Sequence, residues 1–318
     1  MFSAVVFAYS EVGVRCLNVL LKREVQIPLV VTHADNPSEK AWFGSVASLA
    51  AEHGIDVAKP ADPNERAFIH RVADLSPHYI FSFYYRSLLS SELLAGARWG
   101  ALNMHGSLLP KYRGRACINW AILRGESETG ATLHYMVSKP DAGAIVAQER
   151  VAIGIDDTAL TVSQAVAAAA ARLLARMLPA LAAGPPAGRP MNLAHGSYFG
   201  GRTPEDGRIE WSASARDIHA LIRAVAPPFP GAFTDVPGGR LIFSGSHWCA
   251  EKSAHPHLAP CLYVHEGRLY LDLSDGLRLV ITGLTLNNEV LDAQGFRRLY
   301  GDTPLRLAAM PSRRKIQS

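Results

Sequence analysis

The feature that most constrains the fold is an alternation of short apolar runs with helical patterns in the first hundred residues. Apolar runs of strand length occur at residues 4–8, 27–31, 55–57, 79–83 and 101–104. Stretches with apolar residues at helical spacing separate them, and we expect one to open at Asn36-Pro37-Ser38 and to carry Trp42 and Val46. Repeated β-α units of this length predict an α/β fold, a Rossmann-like, mostly parallel sheet with helices on both faces. Ligands of such sheets bind outside the carboxyl ends of the strands.

The second half of the chain follows a different pattern. An alanine-rich helical stretch, which Asp156 and Asp157 are expected to cap, leads into the Pro- and Gly-rich run AGPPAGRP. After one more predicted helix at residues 213–225, short apolar runs, the first at residues 241–244, alternate with tight turns such as Glu266-Gly267. This pattern predicts a smaller β-rich, open-barrel-like C-terminal domain. We expect a first domain at residues 1–183, a linker at 184–207, the C-terminal domain at 208–305 and a tail at 306–318.

Charge and cysteine content argue against several classes of protein. The formal net charge is only +4, and no basic stripe or basic amphipathic helix of the kind used for nucleic acid or membrane surfaces is evident. The four cysteines are far apart and form no CxxC or CxxH motif, so we expect neither a disulfide framework nor a metal site. The sequence leaves a homo-oligomer open.

Two apolar segments could be taken for a signal peptide or a membrane-spanning helix, and their sequences argue against both. The N-terminal run lacks the basic region of a signal peptide. The alanine-rich segment at 159–183 contains Arg172, Arg176 and Pro179, which favours a helix with one buried face over a membrane span. We therefore expect a cytoplasmic protein with no membrane partner and no nucleic-acid partner.

Residues 101–147 are the segment most typical of an active site. Asn103 and His105 lie two apart at the end of a predicted strand, so their side chains project from the same side. Asp141 follows in a Pro- and Gly-bracketed loop. An amide and an imidazole can donate to a developing oxyanion, and a carboxylate can orient the imidazole or accept a proton. These residue types suit acyl transfer, although a lone histidine at a strand end is more often structural.

The longer run around these residues resembles a known family. HGSLLPKYRGRA, with Asn two residues before the His and DAG downstream, is similar to the folate-dependent formyltransferases. That family includes methionyl-tRNA, glycinamide ribonucleotide and nucleotide-sugar N-formyltransferases. The similarity extends to FAYSEVG, IFSFYYRSLLS and FGGRTPEDGRIEW. Across nearly the whole chain it most resembles the formyltransferase half of the bifunctional polymyxin-resistance enzymes, which act on UDP-4-amino-4-deoxy-L-arabinose for lipid A modification.

The resemblance implies a set of site residues. Asn103, His105 and Asp141 match the family's catalytic trio, with 10-formyltetrahydrofolate as formyl donor and no metal. The positions matching its folate-lining segments are Ser87, Leu88, Leu89, Arg115, Val137, Ser138, Lys139, Pro140 and Asp141. Candidate contacts to the substrate are Lys111, Arg113 and Arg202, although a solvated basic turn would account for the first two equally well.

Three further details near these residues concern backbone shape and packing. Cys117 replaces the proline that commonly follows RGRA, which leaves the shape of that loop open. The abrupt Leu109-Pro110 junction, together with the resemblance, suggests a cis peptide bond. His134 lies in an alternating strand pattern and is interpreted as a packing residue.

Four functions are compatible with the resemblance. The favoured one is formylation of the amine of a nucleotide-linked amino sugar. Methionyl-tRNA formyltransferase is the first alternative, but residues 205–318 contain thirteen Lys and Arg against twelve Asp and Glu, a net charge of +1, and tRNA binding depends on neutralising phosphates. Hydrolysis of formyltetrahydrofolate would use the same trio with water as acceptor. A folate-binding protein without catalysis would be expected to lack part of the trio.

Overall fold

A computed structural model describes residues 2–34 and 42–307 of the chain. Contacts divide the chain into two compact units. The first consists of Met1–Ile118, Glu128–Ala152 and Val162–Gly201, and the second of Asn119–Ser127, Ile153–Thr161 and Arg202–Ser318.

The elements up to residue 183 alternate strands and helices as the sequence predicts. In chain order they are β1 (Ser3–Ala8), α1 (Ser10–Lys22), β2 (Gln26–Val31), α2 (Val46–Glu52), β3 (Val57–Ala58), α3 (Arg66–Asp74), β4 (Tyr79–Phe83), α4 (Ser91–Ala95), β5 (Ala101–His105), β6 (Arg113–Gly114), α5 (Cys117–Leu123), β7 (Glu128–Tyr135), β8 (Ile145–Ala152) and α6 (Ala159–Ala183).

Seven of these strands form one sheet in the order β3-β2-β1-β4-β5-β7-β8. The five strands from β3 to β5 are parallel, and β7 and β8 add an antiparallel edge. Central strands are buried along their whole length, as in β4, because helices cover such sheets on both faces. The core on one face is built around Phe7, Val31 and Ile80.

The second unit contains an antiparallel half-barrel sheet. The remaining elements of the chain, in order, are β9 (Tyr198–Phe199), α7 (Ala215–Ala224), β10 (Ala232–Val236), β11 (Gly239–Lys252), β12 (Cys261–His265), β13 (Arg268–Asp272), β14 (Leu277–Leu286), β15 (Glu289–Val290), α8 (Ala293–Tyr300) and β16 (Leu305–Arg306). The strand order of the half-barrel sheet is β10-β11-β14-β13-β12-β16, with β15 paired to β14. The strand β9 belongs to the first unit, where it pairs in parallel with β6.

The apolar face of α7 explains how this unit is held together. Ser214 caps the helix by accepting a hydrogen bond from the Asp217 N–H. Ile218 and Ile222, four residues apart, then pack with Phe243 in the core of the sheet. The expected two-part fold, a Rossmann-like sheet followed by a β-rich domain, is confirmed.

Several element boundaries differ from the sequence predictions. The second helix begins at Val46 with Ser45 as its cap, so Trp42 is not helical, and Asn36-Pro37-Ser38 lie outside the described residues. Residues 308–318 of the expected tail also lie outside them. The helix after β8 begins at Ala159.

The cap predicted for that helix was wrong. Thr158, rather than Asp156 or Asp157, accepts the N–H of Thr161 at 3.3 Å. Asp157 instead accepts the N–H of Gly154 at 2.7 Å, and Asp156 accepts that of Trp248 at 2.8 Å. The two carboxylates therefore organise the preceding turn and a neighbouring strand.

Of the helices in the described residues, α6 alone is long and apolar enough to cross a membrane by length and composition. However, 44% of its most apolar window is buried inside the protein. Its Arg172 and Arg176 both pair with Glu149, at 2.7 and 2.8 Å. These features fit the core helix that the sequence predicts.

Candidate active site

The candidate site lies on two neighbouring strands of the first sheet. In the antiparallel pairing of β5 with β7, Asn103 stands opposite His134. Opposite residues project from the same face of a sheet, and so do residues two apart on one strand. Asn103, His105 and His134 therefore share one face.

Asn103 is held by a hydrogen bond to the His134 ring. The His134 Nδ1 lies 2.8 Å from the Tyr135 carbonyl oxygen, and because a carbonyl only accepts, this nitrogen must carry the proton. In the neutral ring the Nε2 is then an acceptor, and Asn103 Nδ2 donates to it at 3.1 Å. One N–H of the amide is used, and the second makes no hydrogen bond to any described residue.

The environment of His134 keeps its ring neutral. Burial, followed by the nearby His105, lowers the pKa of His134 to about 4. A buried ring resists protonation because the charged form loses its hydration. His134 therefore remains an acceptor for Asn103 at neutral pH.

The two nitrogens of His105 have different environments. The Nε2 lies 2.8 Å from the Tyr112 carbonyl oxygen, so it carries a proton and donates. The Nδ1 lies 3.5 Å from Asp141 Oδ1. Within the described part of the chain this Nδ1 has no hydrogen bond, so it is the nitrogen left for proton exchange.

Asp141 is directed towards the histidines by its backbone partner. Its Oδ2 accepts the N–H of Gly114 at 2.9 Å, while its Oδ1 lies 3.8 Å from His134 Nε2. A Cβ on Gly114 would lie 2.2 Å from the Phe199 carbonyl oxygen, so only glycine fits at this position. The structure therefore brings Asn103, His105 and Asp141 together around His134.

The predicted folate-lining residues lie in three segments. Ser87, Leu88 and Leu89 follow β4, where the Asn64 side chain donates to the Leu88 carbonyl and accepts the Ser90 N–H. Leu88 is 71% exposed. The second segment, Val137, Ser138, Lys139 and Pro140, leads to Asp141, and Val137 is 47% exposed. Arg115, in the third segment, has an exposed side chain.

The three basic residues proposed for substrate contact differ in their surroundings. Arg113 is buried, and its Nε has no hydrogen-bond partner in the described structure. Lys111 is exposed. Arg202 belongs to the second unit, where its Nη2 donates to the Asp206 carbonyl at 2.8 Å and its guanidinium lies 4.9 Å from the Trp120 ring centroid.

The loop after β5 is shaped by tight packing. The Leu109-Pro110 peptide bond is cis, as expected from the sequence. Cys117 is buried, its thiol donates to the Gly106 carbonyl at 3.2 Å, and burial raises the pKa of this thiol to about 12. The cysteine is therefore a packed, protonated residue of the loop.

Sequence reasoning missed the role of His134. It was interpreted as a packing residue, whereas its ring holds the Asn103 amide and lies beside Asp141. The available signal was the alternating pattern of β7, but placing His134 opposite Asn103 requires the register between two strands. Local sequence patterns do not contain that register.

Comparison with known proteins gives the family. A family model described as formyl transferase matches residues 5–178, more than half of the chain. A model described as formyl transferase, C-terminal domain, matches residues 202–299. The chain belongs to the formyl transferase family. The expectation of a formyltransferase is therefore confirmed.

Several solved structures have a similar fold. The N-formyltransferase from Helicobacter canadensis, solved with folinic acid and dTDP-3-aminofucose, is 20% identical with a TM-score of 0.72, covering 88% of this chain and 99% of that one. The sugar 3N-formyltransferase WlaRD, solved with dTDP and 5-N-formyl-THF, is 18% identical with a TM-score of 0.69, covering 91% and 99%. HypX from Aquifex aeolicus, solved with tetrahydrofolic acid, is 17% identical with a TM-score of 0.63, covering 94% and 47%.

Proposed function

We propose that the protein transfers a formyl group from 10-formyltetrahydrofolate to the amine of a nucleotide-linked amino sugar. Within this class, UDP-4-amino-4-deoxy-L-arabinose is the specific candidate. The observation that carries the proposal is a pair of oriented groups that make no hydrogen bond to the described residues. These are the second N–H of Asn103 and the Nδ1 of His105, both fixed by hydrogen bonds on their other side.

Asn103 stabilises the negative charge that develops on the formyl oxygen. Its amide is already oriented by His134, so donating the second N–H requires no rearrangement during the reaction. Such a pre-oriented donor in a water-poor site stabilises a transition state more than the ground state.

His105 and Asp141 handle protons. With Nε2 occupied by the Tyr112 carbonyl, the Nδ1 of a protonated ring donates towards the developing oxyanion or towards Asp141. The Asp141 carboxylate takes up the proton that the attacking amine loses, and the bond from the formyl carbon to N10 of the folate then breaks as that nitrogen accepts the proton of the His105 Nδ1. This step uses side chains only and proposes no metal.

The formyl donor supplies an electrophilic formyl carbon. Two loops near the ends of β4 and β7 carry the exposed apolar side chains of Leu88 and Val137. Large exposed apolar side chains are expected at a ligand-binding surface, where a planar aromatic ring system covers them. We propose that Ser87, Leu88, Leu89, Arg115 and residues 137–141 hold the pterin and its attached groups, consistent with the folate compounds bound to the similar solved structures.

The surroundings of Arg113 favour an acceptor substrate that carries negative charge. The residue is 8% exposed, its Nε lacks a hydrogen bond, and no carboxylate in the described residues lies within salt-bridge distance. A buried cation without a counter-charge is costly, so a phosphate group would stabilise it. We propose Arg113 and Lys111 as contacts to the diphosphate of the nucleotide, and Arg202 stays a predicted substrate contact of the second unit. The dTDP-3-aminofucose and the dTDP of two similar structures agree with this class.

The proposed setting is the cytoplasm, where formyltetrahydrofolate and nucleotide sugars are both available. We propose no nucleic-acid partner, because residues 205–318 have a net charge of only +1. The domain limits of 1–183, 184–207, 208–305 and 306–318 remain part of this proposal, with catalysis assigned to the first.

The test is a comparison of acceptors with one donor. The purified chain is incubated with 10-formyltetrahydrofolate and a panel of UDP- and dTDP-linked amino sugars, including UDP-4-amino-4-deoxy-L-arabinose. Product mass and tetrahydrofolate release are measured together. We expect a formylated sugar nucleotide and an equal amount of tetrahydrofolate.

Two other results would contradict the proposal. Initiator methionyl-tRNA is tested in parallel at ordinary salt, and its formylation without activity on any sugar nucleotide would assign the tRNA alternative. Donor consumption that is independent of every acceptor would assign hydrolysis. The Arg113→Gln variant separates the diphosphate contact from chemistry, because we expect a higher KM for the sugar nucleotide with little change in kcat.

A further inference from the structure

The second unit contains a cluster of metal-ligating side chains that formyl transfer does not use. The possible ligand atoms of His255, Cys261 and Asp272 all lie within 4.8 Å of one another. Cys261 and Asp272 stand opposite each other on β12 and β13, so their side chains share a face of the sheet. His255 comes from the segment that precedes β12. Spacing along the chain gave no sign of this cluster, since its members come from a loop and two strands.

Asp272 is a buried carboxylate without a cationic partner. It is 0% exposed and accepts the His255 backbone N–H at 2.7 Å and the Tyr263 hydroxyl at 3.2 Å. Among the described residues, no Arg or Lys nitrogen lies within salt-bridge distance of it. A buried ionised carboxylate is costly unless it is paired or coordinates a metal.

The Nδ1 of His255 lacks a hydrogen bond within the described part of the chain. This atom is buried and has no hydrogen-bond partner in the described residues, yet it lies 3.5 Å from Asp272 Oδ2. Two ligands bound tetrahedrally to Zn²⁺ at about 2.0–2.2 Å are separated by about 3.4 Å. The nitrogen and the oxygen therefore already stand at the separation that one shared metal ion requires.

We propose that His255, Cys261 and Asp272 bind one Zn²⁺ ion, with water as the fourth ligand. Nitrogen, sulfur and carboxylate oxygen are the donors that this ion prefers. The His255 side chain is 32% exposed and provides the entry path and the place for water. Tyr263, by donating to Asp272 Oδ1, fixes the carboxylate as an outer partner of the ligand.

The thiol of Cys261 completes the site by losing its proton. Burial, with the Asp272 charge adding to it, raises the pKa of this thiol to about 11, while Arg306 acts in the opposite direction. Binding therefore releases one proton to solvent, and the thiolate and carboxylate balance the charge of the ion. Arg278 also borders the cluster, and Glu251 lies 3.5 Å from its Nε. The ion would tie the segment before β12 to the sheet.

The test measures zinc binding to the whole chain. The protein is stripped with a chelator and titrated with Zn²⁺ against a chromophoric competitor, and bound metal is counted by elemental analysis. Co²⁺ is then used as a spectroscopic probe, because a thiolate ligand gives a charge-transfer band and tetrahedral geometry gives intense visible bands. We expect one ion per chain, both spectral features, and a rise in thermal midpoint with added Zn²⁺.

Variants identify the ligands. We expect Cys261→Ser to abolish the charge-transfer band and His255→Asn to weaken Zn²⁺ binding at least tenfold. The matched controls are Cys249→Ser, whose thiol bonds to the Arg278 carbonyl, and His265→Asn, which is exposed. If Cys261→Ser does not fold, the Co²⁺ spectrum of the wild-type protein and the Zn²⁺ affinity of His255→Asn, at a partly exposed position, still test the site. Unchanged Zn²⁺ binding by His255→Asn, or a Co²⁺ complex without thiolate charge-transfer bands, would overturn the proposed metal site. The cluster would then be only a set of hydrogen bonds between the segment before β12 and the sheet.

Discussion

Each unit buries a histidine beside a carboxylate, and the two clusters differ in how many of their polar atoms are satisfied. In the second unit His219 accepts from Ser246 Oγ at 2.8 Å and donates from Nε2 to the Ile155 carbonyl at 2.9 Å. Asp156 Oδ1 lies 3.2 Å from the same Nε2 and accepts the Trp248 N–H. Serine, histidine and aspartate here have the residue types of a hydrolytic triad.

This second cluster is nevertheless a closed network. His219 is 1% exposed, Ser246 is 5% exposed, and both ring nitrogens have partners. Around His105, in contrast, Nδ1 and the second Asn103 N–H make no hydrogen bond in the described structure, although the other polar atoms of these two side chains do. Chemistry needs a group that is oriented and still available, whereas a fully satisfied network only stabilises.

The largest expected effect is on turnover by the open cluster. Asn103→Ala removes the donor to the developing oxyanion, so we expect kcat to fall about a hundred- to a thousandfold. His105→Ala should be at least as damaging, because the Nδ1 that exchanges protons is lost. Both are measured with the formylated sugar nucleotide as product.

The control for these variants is His70→Ala, an exposed histidine of α3 in the same unit. We expect its kcat to stay within about twofold of wild type. Near-normal turnover of either Asn103→Ala or His105→Ala on the real acceptor would end the catalytic assignment and, with it, the contrast between the two clusters.

The closed cluster should affect stability instead. His219→Ala leaves Ser246 and the Ile155 carbonyl unpaired inside the protein, so we expect the free energy of unfolding to fall by about 2–3 kcal/mol. Denaturant unfolding measures this, and kcat per folded molecule should stay unchanged.

Its matched control is His247→Ala. The His247 ring reaches the same Asp156 at 3.4 Å but is 62% exposed, so the loss should be within about 0.5 kcal/mol. A large drop in kcat for His219→Ala without loss of stability would show that the second cluster is also catalytic.

Structural features that depend on local sequence pattern could be predicted from the sequence. The limits of β4 were predicted at both ends because the run YIFSF is apolar throughout. The catalytic trio was proposed from a strand end and a motif. In contrast, β11 is fourteen residues long where only residues 241–244 were predicted, since its irregular register near Gly245 interrupts the alternation. The helix α8 was missed because Gly295 lies inside it.

What the sequence could not provide was pairing between distant strands. His134 meets Asn103 through the register of β7 against β5, and His219 meets Asp156 across more than sixty residues of chain. Such contacts depend on topology rather than on any local period. For the same reason Cys261, His255 and Asp272 were not recognised as neighbours.

A smaller effect separates positioning from catalysis within the open cluster. His134→Ala frees the Asn103 amide to rotate, so we expect kcat to fall about tenfold. His134→Gln keeps an acceptor for Asn103 Nδ2, and we expect it to recover most of the loss. Equal kcat values for the two variants would contradict a positioning role, because a purely structural ring would not be rescued by an acceptor.

The smallest expected effect is a difference in the pH dependence of stability. Burial lowers the pKa of His134 to about 4 from an ordinary value of 6.5, so the unfolded chain binds more protons than the folded one between these values. Stability from the neutral ring is therefore complete above pH 6.5 and is lost as pH falls towards 4. Between pH 6.5 and 5, where carboxylates contribute little, His134 should account for between about 1 and 2 kcal/mol of that loss. Denaturant unfolding of His134→Gln should show a correspondingly flatter profile in this window.

Burial also lowers the pKa of His219, so His219→Gln should flatten the profile too, but without changing the pH dependence of kcat. Profiles of His134→Gln and wild type that run parallel would mean that folding does not lower the pKa of His134, which would contradict a buried neutral ring that accepts from the Asn103 amide.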